Sequence, residues 1–404
     1  MRVLQVTNFY PPYWVGGYEL IASWVTQGLR ERGHAVEVLT GRGPAFARLG
    51  GIRGELDLGL DGLVEAYFGS GLVARDGLAE GLRRHVFSPR NFAACRRAID
   101  EFRPDLVSFW NPAFVTFSPL LAARQLAVPA LVHLSDTAAN PFRNPHAPRF
   151  PRRLRGAGRA AVDALLRLSR PSRYVVPSVF LRDRLVAGES LPAERTVVLR
   201  WPVEPVASGS PAGARGGGRG GSRLLFVGTL IPEKGPDVLV AALREAACRC
   251  PDLTLTFVGD GPAQFVARLR DAAQGLAVRF LGRQDRAGVM QAYREHDVLV
   301  FPSVWDEPFA VVPLEAMAMG LAVVASRAGG TPEAVVHEDT GLLVPPGDPA
   351  ALASALVRLA REPALASALA GRGSAWARRE QGFPAFMDRL ETLYASAVGE
   401  GSPH

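Results

Sequence analysis

Apolar and polar positions along this chain alternate between the period of a strand and the period of a helix. Arg2 to Thr7 is a short apolar run that predicts a strand, and Tyr18 to Arg32 carries apolar residues at helical spacing. Gly33 ends this helix, and Ala35 to Thr40 predicts the second strand. A strand, a loop, a helix and a strand in this order predict a βαβ unit, and therefore a parallel sheet.

The same alternation continues to about residue 200 and starts again after an interruption. The segment Glu204 to Arg223 is dominated by Gly, Ser and Pro, which predicts a linker. We therefore predict an α/β protein with two Rossmann-like domains at residues 1–203 and 224–383, a linker at 204–223 and a C-terminal helix at 384–404. The two domains, each with a parallel sheet, would face a central cleft, and one option for the last helix is to cross back to the first domain.

The pattern of the second half predicts its strands and helices in detail. Apolar runs predict strands at Val298 to Phe301 and Ala322 to Ser326, with a helix from Leu314 to Met319 between them. A further helix is predicted from Val289 to Glu295, and another beginning near Pro349. In the first half, the residues between Gly41 and Ser88 are rich in Gly and predict only loops with short elements.

Composition places the chain among globular proteins of two or three domains. It has 404 residues, 48% of them apolar and 21% charged, and no apolar run approaches the ~18 residues of a membrane span. The N-terminal residues have the pattern of a first strand and not of a signal peptide. Three cysteines, Cys95, Cys248 and Cys250, are too few for a disulfide framework and fit a reducing compartment. We expect a cytoplasmic protein.

The net charge of +7 allows acidic partners, which include nucleotides, phospholipid surfaces and nucleic acid. Arginines recur between Pro148 and Arg173 together with apolar residues at helical spacing. Such a helix can lie on an anionic membrane, which would place the protein peripherally at its inner face, but more often its basic side is simply solvated. No motif that reads nucleic acid is present, so we expect no nucleic-acid partner.

Two carboxylates stand out in the segment from Phe301 to Pro332. Glu307 lies in the loop after a predicted strand, and Glu315 follows about two helical turns later, roughly 12 Å along the helix axis. Hydroxyl groups donate to carboxylates, and phosphate binds at the positive end of a helix, so this arrangement suits a ligand that has both. The alternative is an ordinary amphipathic helix with Glu on its exposed face.

Three further positions are candidates because they lie where parallel sheets bind ligands, after the carboxyl ends of strands. Lys234, the only lysine of the chain, follows the first strand of the second half. His133 ends a predicted strand, and Gly16-Gly17 in the first loop would let the backbone approach a ligand closely. The alternatives are a surface lysine, a structural histidine and a tight turn.

The motifs VGTLIPEKG, VGDGP, FLG, PSVWDEPFAVVPLEAMAMGLAVVASRAGG and TGLLVPPGD resemble those of the retaining GT-B glycosyltransferases of family 4. The resemblance covers nearly all of the second half in order and spacing. In the first half it extends to PPYWVGGYE, RPDLVSFW, LVHLSDT and VPSVFLRDRL. It implies the GT-B fold and transfer of a sugar from a UDP- or GDP-sugar with retention at the anomeric carbon, without a required metal or other cofactor.

The resemblance also implies a role for individual residues. Glu315 would bind the ribose hydroxyls, Glu307 the transferred sugar and Lys234 the diphosphate, while His133 would lie near the reacting sugar. His133, Glu307 and Lys234 are therefore the candidate catalytic residues. Further donor contacts are expected from loop and helix-start positions, namely Gly16, Gly17, Gly228, Thr229, Gly259, Gly282, Arg283, Phe309, Ala310 and Val311.

Two positions depart from the family pattern. Thr229 stands where the family commonly has Arg, which removes one phosphate-binding cation and leaves donor binding more dependent on Lys234 and helix amides. Ala310 replaces a usual Gly. The acceptor, which could be a sugar, a glycan, a lipid-linked molecule or a small molecule, is open, and so is the choice between UDP and GDP. Alternatives to a transferase are a GT-B epimerase or phosphorylase and a catalytically silent sugar-nucleotide-binding protein.

Overall fold

The computed structural model describes residues 1–12, 17–42, 50–58, 86–110, 115–135, 152–189, 191–203 and 221–401. The chain divides into two compact units. Unit 1 consists of Met1–Arg200 together with Pro384–His404, and unit 2 of Trp201–Phe383. The predictions for Gly16, for residues 204–220 of the linker and for much of the segment between Gly41 and Ser88 lie outside the described residues.

Unit 1 is built on a parallel sheet whose strand order is β3-β2-β1-β4-β5-β6-β7. Its strands are β1 (Arg2–Thr7), β2 (Ala35–Gly41), β3 (Ile52–Leu56), β4 (Leu106–Trp110), β5 (Ala130–His133), β6 (Arg173–Val176) and β7 (Thr196–Val198). The described helices are α1 (Gly17–Glu31), α2 (Pro89–Phe102), α3 (Ser118–Gln125), α4 (Arg152–Ser169) and α5 (Val179–Glu189). Strands β4 and β5 are buried throughout, as expected for a parallel sheet covered on both faces.

Unit 2 repeats this design with the strand order β10-β9-β8-β11-β12-β13, again all parallel. Its strands are β8 (Arg223–Val227), β9 (Thr254–Val258), β10 (Val278–Phe280), β11 (Val298–Phe301), β12 (Ala322–Ser326) and β13 (Leu342–Val344). Its helices are α6 (Pro236–Ala247), α7 (Ala263–Ala272), α8 (Arg286–Glu295), α9 (Val311–Ala318), α10 (Thr331–Ala334), α11 (Pro349–Arg361) and α12 (Pro363–Glu380). The predicted α/β class with two parallel sheets is confirmed.

The last helix, α13 (Phe383–Gly401), belongs to unit 1 from Pro384 onward. Tyr394 is fully buried on this helix, and its hydroxyl lies 2.7 Å from the Ser108 hydroxyl on β4. Near the start of the helix, Arg32, which directly follows α1, pairs with Asp388 at 2.7 Å and with Glu391 at 2.8 Å. These contacts join the last helix to β4 and to the residue that follows α1 in the first unit.

Two helix boundaries in unit 2 differ from the prediction. Helix α8 begins at Arg286 and not at Val289, because the Asp285 side chain caps it by accepting a hydrogen bond from the backbone N–H of Gly288 at 2.8 Å. Helix α9 begins at Val311 and not at Leu314, so its first turn contains Pro313, which is tolerated there because its missing N–H would have no partner within the helix.

No helix among the described residues is long and apolar enough to cross a membrane.

Candidate functional site

The candidate donor site of unit 2 lies where the strand order of its sheet reverses direction. Strands β8 and β11 are neighbours, and the chain leaves β8 toward β9 on one side and β11 toward β12 on the other. In open parallel sheets, ligands bind in the crevice outside the carboxyl ends of two such strands. The loop after β8 carries Lys234, and the loop after β11 carries Glu307.

Lys234 and Glu307 are in direct contact. The Lys234 ammonium donates to Glu307 Oε1 at 2.7 Å, and the Ser303 hydroxyl donates to the same oxygen at 2.6 Å. The Glu307 side chain is only 6% exposed, whereas that of Lys234 is 27% exposed. A buried carboxylate is costly unless it is paired and hydrogen-bonded, and both conditions are met here. The ammonium also lies 5.4 Å from the ring centroid of Trp305.

A close backbone contact holds the loop of Glu307. The N–H of Gly330 donates to the Glu307 carbonyl at 2.7 Å. Gly329 has a left-handed φ of +55°, and a Cβ built there would lie 2.4 Å from the backbone nitrogen of Glu307. Position 329 therefore requires glycine for two reasons, its conformation and the space available to it.

Glu315 lies in the second turn of α9, with both carboxylate oxygens engaged by residues of α8. The Tyr293 hydroxyl donates to Oε2 at 3.0 Å, and the Arg286 guanidinium lies 2.8 Å from Oε1. Each carboxylate oxygen has a second lone pair, so these contacts leave acceptor capacity for two ligand hydroxyls. The side chain is 10% exposed, which makes its orientation well defined.

Three of the predicted glycines come together at the carboxyl ends of adjacent strands. Gly228 follows β8, Gly259 follows β9 and Gly282 follows β10, and all three have positive φ angles. The N–H of Gly259 donates to the Gly282 carbonyl at 2.9 Å, and a Cβ at Gly259 would lie 1.8 Å from the Gly228 carbonyl oxygen. Next to this row, Thr229 and Arg283 are exposed.

The remaining predicted residues of unit 2 form the start of α9. Phe309 and Ala310 are buried, and Val311 is the first helical residue. The Phe309 ring meets Trp201 edge to face at a centroid distance of 6.0 Å. The N–H groups in the first turn of a helix have no acceptor within the helix, so this end of α9 offers a partial positive charge to a ligand.

His133 is the last residue of β5 in unit 1, and it is buried. Its ring stacks on Trp110 with a centroid distance of 4.0 Å and an interplanar angle of 8°. Burial lowers the pKa of the imidazole to about 3, so the ring is neutral at pH 7. Its Nε2 has no hydrogen-bond partner among the residues that the structure describes. Gly17 is the exposed first residue of α1 in the same unit.

Sequence reasoning missed the residues that hold the two carboxylates in place. Ser303, Arg286 and Tyr293 contact them, and none was a candidate. Recognising Asp285 as a helix cap would have placed Arg286 and Tyr293 on one helix seven residues apart, which is two turns and therefore the same face. No sequence signal would have paired that face with Glu315.

Two family models match the chain. The model described as glycosyl transferases group 1 matches residues 221–362, and the model described as glycosyltransferase family 4 matches residues 15–205. Together they span both units and include each candidate residue named above. The chain belongs to glycosyltransferase family 4.

Individual proteins agree with this assignment. The chain is 38% identical over 192 residues to a D-inositol 3-phosphate glycosyltransferase of Actinosynnema mirum, a match that covers 43% of this chain and 46% of that protein. The match thus spans about half the length of that relative. A glycogen synthase of Mycobacterium tuberculosis is 29% identical over 388 residues, which cover 91% of this chain and 87% of that protein.

The fold has a solved counterpart. The crystal structure of the Anabaena protein HepE in complex with UDP superposes with a TM-score of 0.72 at 22% identity and covers 98% of this chain and 100% of that one. The fold is therefore GT-B, as the motifs implied.

Proposed function

We propose that this protein transfers a sugar from a UDP- or GDP-sugar to a hydroxyl-bearing acceptor, with retention of the anomeric configuration and without a metal ion. The observation that carries the proposal is the cluster of Lys234, Ser303 and Glu307 at the point where the sheet of unit 2 reverses direction, with Glu315 on the helix that follows. Cation, carboxylates and a helix start occupy the one place where such a sheet binds ligands.

Each group suits one part of a nucleotide sugar. Glu315, fixed by Arg286 and Tyr293, would accept hydrogen bonds from the two ribose hydroxyls. The diphosphate would lie between the Lys234 ammonium and the first turn of α9, where both partial and full positive charge are available. Glu307 would then accept hydrogen bonds from hydroxyls of the transferred sugar.

The difficult step is departure of the diphosphate from the sugar, which builds negative charge on the leaving oxygen. An ammonium and helix amides that are already in place stabilise that charge without reorganising. Lys234 can do this and remain bonded to Glu307, because an ammonium carries three N–H donors. His133 is neutral, so its ring would offer a hydrogen bond to a ligand without adding charge.

The relatives support a nucleotide-sugar donor but leave the acceptor open. HepE was solved with UDP and with UDP-glucose. The name of the Actinosynnema relative, D-inositol 3-phosphate glycosyltransferase, refers to an inositol phosphate. UDP-sugars are therefore the first donors to assay and GDP-sugars the second, and the candidate acceptors are a sugar, a glycan, a lipid-linked molecule and a small molecule.

The test combines binding with product analysis. Calorimetric titration with UDP and GDP should show saturable binding of one of them, and Glu315→Gln should weaken it by about tenfold or more, because a ribose hydroxyl loses a charged acceptor. The matched control is Arg294→Gln at an exposed position of α8, which should bind like the wild type. Absence of binding by both nucleotides, or unchanged binding by Glu315→Gln, would contradict the proposed site.

Turnover separates the possible reactions. Proton NMR of the product formed from a labelled nucleotide sugar should show the anomeric configuration of the donor, and the rate should be unchanged by EDTA. An inverted product would exclude retention, and a rate abolished by EDTA and restored by a divalent cation would exclude the metal-free mechanism. Epimerised donor formed without any acceptor would instead identify an epimerase.

A further inference from the structure

A pocket lies in unit 1 toward the amino edge of its sheet, whereas Trp110 and His133 lie at the carboxyl ends of their strands. It has a volume of about 410 Å³, within the range of small-molecule sites. Its lining includes Arg170 and Pro171 just before β6 and Arg195 just before β7. Residues that precede parallel strands lie at the amino edge of a sheet, whereas His133 ends β5 at the carboxyl edge. The pocket is therefore a separate feature of the fold.

Buried apolar side chains form the base of this pocket, and charged side chains form its rim. Leu166, Tyr174 and Leu191 are each 5% exposed or less, while Arg167, Arg170 and Arg195 are exposed. Burial raises the pKa of Tyr174 to about 12, and the nearby positive charge of Arg195 opposes that rise. The Tyr174 phenol is therefore neutral at pH 7. The positive charge of Arg195 is close enough to this buried side chain to influence it.

The three guanidinium groups have no hydrogen-bonded or ion-paired partner among the residues that the structure describes. Their neighbour Arg173 differs, because it pairs with Glu400. Asp163 and Glu194 also line the pocket, so three cations face two carboxylates and one positive charge is left over. The three guanidinium groups carry fifteen N–H donors, five on each, and they line a concave surface that has an apolar base.

Arg170 also adopts a backbone conformation that arginine rarely takes. Its φ is +39°, in the left-handed region, at the position directly after the last residue of α4. Glycine is the usual residue at this position of a helix end, because it has no Cβ to clash. The conformation costs about 1 kcal/mol for a residue with a side chain. Here it places a guanidinium at the rim of the pocket.

We propose that this pocket binds a phosphate group carried on a small organic body, with Arg167, Arg170 and Arg195 holding the phosphate oxygens and Leu166, Tyr174 and Leu191 contacting the body. A phosphate has three terminal oxygens pointing in different directions, so it can accept hydrogen bonds from several guanidinium groups at once. A carboxylate has two oxygens in one plane and is matched by a single guanidinium. Three arginines on one rim therefore favour phosphate.

The same chemistry could be presented by a soluble sugar phosphate or by a phospholipid headgroup. The soluble probes are glucose 6-phosphate and inorganic phosphate, observed by phosphorus NMR line broadening and by calorimetry. The membrane probe is co-sedimentation with vesicles of phosphatidylcholine and phosphatidic acid, compared with vesicles of phosphatidylcholine alone. All measurements use the full chain in the Lys234→Ala background, which removes the phosphate-binding cation of the donor site.

The decisive variant is Arg167→Gln/Arg170→Gln/Arg195→Gln, which changes only exposed side chains. Its matched control is Arg124→Gln/Arg279→Gln/Arg294→Gln, which removes three exposed arginines elsewhere and the same amount of charge. We expect the pocket variant to weaken binding at least about tenfold for each guanidinium that contacts the phosphate, and the control variant to bind like its parent. Circular dichroism confirms that both variants are folded.

The outcomes show whether the pocket binds a phosphate group, and whether that group belongs to a soluble molecule or to a lipid headgroup. Binding of glucose 6-phosphate that is lost in the pocket variant alone supports a soluble ligand, and vesicle binding lost in the pocket variant alone supports a headgroup. No binding of any probe, or equal losses in the pocket and control variants, would overturn the proposal. Because the pocket and the donor site lie in different units and Lys234 is absent from the assay, this result is independent of the proposed transferase function.

Discussion

The only lysine of the chain lies at the position where the candidate donor site needs a cation. Arginine supplies the positive charge elsewhere in the sequence, so the ammonium of Lys234 is a local exception. It is compact and carries three donors that can rotate, whereas a guanidinium presents a rigid fork. An ammonium can therefore stay bonded to Glu307 and still turn a second N–H toward a phosphate oxygen. Because Thr229 adds no cation at its own position, we expect donor binding to depend more heavily on the charge of Lys234.

Replacing Lys234 by Ala should lower kcat/KM for sugar transfer by about 10²–10³, the usual loss when one preorganised donor to a developing negative charge is removed. Lys234→Arg should restore only part of the rate, because the larger fork cannot occupy the same contact with Glu307 and Ser303. Steady-state kinetics measure both effects, and Arg279→Ala on β10 serves as a charge-matched control. Wild-type kinetics for Lys234→Ala would exclude Lys234 from the mechanism.

The close contact between Gly329 and the backbone of Glu307 predicts how a substitution at position 329 changes the stability of the protein. Gly329→Ala places a Cβ within 2.4 Å of the Glu307 backbone and forces a side chain into a left-handed conformation. Overpacking and strain together should cost about 2 kcal/mol or more and displace Glu307, so activity should fall as well. Urea denaturation followed by circular dichroism measures the change.

The matched control for Gly329 is Gly371→Ala, in the exposed interior of α12. Nothing lies within 4 Å of a Cβ built at Gly371. Alanine should therefore stabilise this helix by about 0.5–1 kcal/mol through its higher helix propensity. If both substitutions changed stability in the same direction and by the same amount, the close contact at Gly329 would have no energetic consequence.

At the scale of whole elements, strands were easier to predict than helix ends. Strands β11 and β12 lie at the predicted residues, because both faces of a central parallel strand are buried and the sequence becomes a continuous apolar run. Helix α8 was predicted to begin three residues too late, because its start depends on the Asp285 cap and not on apolar periodicity. The segment after Pro349 forms two helices, with Pro363 beginning the second.

For the candidate site too, the residues that lie in local motifs could be predicted from the sequence, whereas the residues that only tertiary packing brings together could not. Lys234, Glu307 and Glu315 could be found from motifs, because each lies at a fixed offset from a strand or helix. The partners of Glu315 could not, because Arg286 and Tyr293 reach it from another helix through packing that leaves no mark on the local sequence. The same holds for the stacking of His133 on Trp110, which comes from a neighbouring strand.

Helix α13 gives an element-scale prediction. Leu390 is fully buried on this helix, which belongs to unit 1 although the whole of unit 2 separates it in sequence from the rest of that unit. Leu390→Ala should therefore destabilise unit 1 by about 2–5 kcal/mol through lost burial and the cavity left behind. Thr392→Ala, on the exposed side of the same helix, should stay within about 0.5 kcal/mol of the wild type. Hydrogen exchange can assign the loss: protection should fall in β1 and β4 of unit 1, and an effect confined to unit 2 would contradict this assignment.

At the scale of the whole molecule, the two units have the same kind of sheet but different candidate residues at its carboxyl edge. Unit 1 and unit 2 have the same kind of sheet, in which the strand order reverses between β1 and β4 and between β8 and β11. Unit 2 has Lys234 and Glu307 in the loops after its central strands, whereas the candidate residues described in unit 1 are the neutral, stacked His133 at the end of β5 and Gly17 at the start of α1. The two sheets therefore share a topology and differ in the candidate groups that the described residues place at their carboxyl edges.

Stability of the whole chain should depend on pH through His133. Burial lowers the pKa of this imidazole from 6.5 to about 3, so between these values the unfolded chain binds a proton that the folded protein does not. Stability is therefore complete above pH 6.5 and is lost as the pH falls toward 3. At about pH 5 the loss from this one residue is about 2 kcal/mol relative to pH 7. Burial also lowers the pKa of His296, which adds to the loss in the same direction.

Comparing the wild type with His133→Gln isolates the contribution of His133, because His296 and the carboxylates are common to both proteins. Glutamine keeps a polar group at the end of β5 but does not titrate. Urea denaturation at about pH 7 and about pH 5 should show that the variant loses about 2 kcal/mol less than the wild type between the two conditions. The variant can be less stable at both values without affecting this difference, because only the change with pH is compared. Equal losses in the two proteins would mean that the His133 imidazole becomes protonated in the folded state as readily as in the unfolded chain.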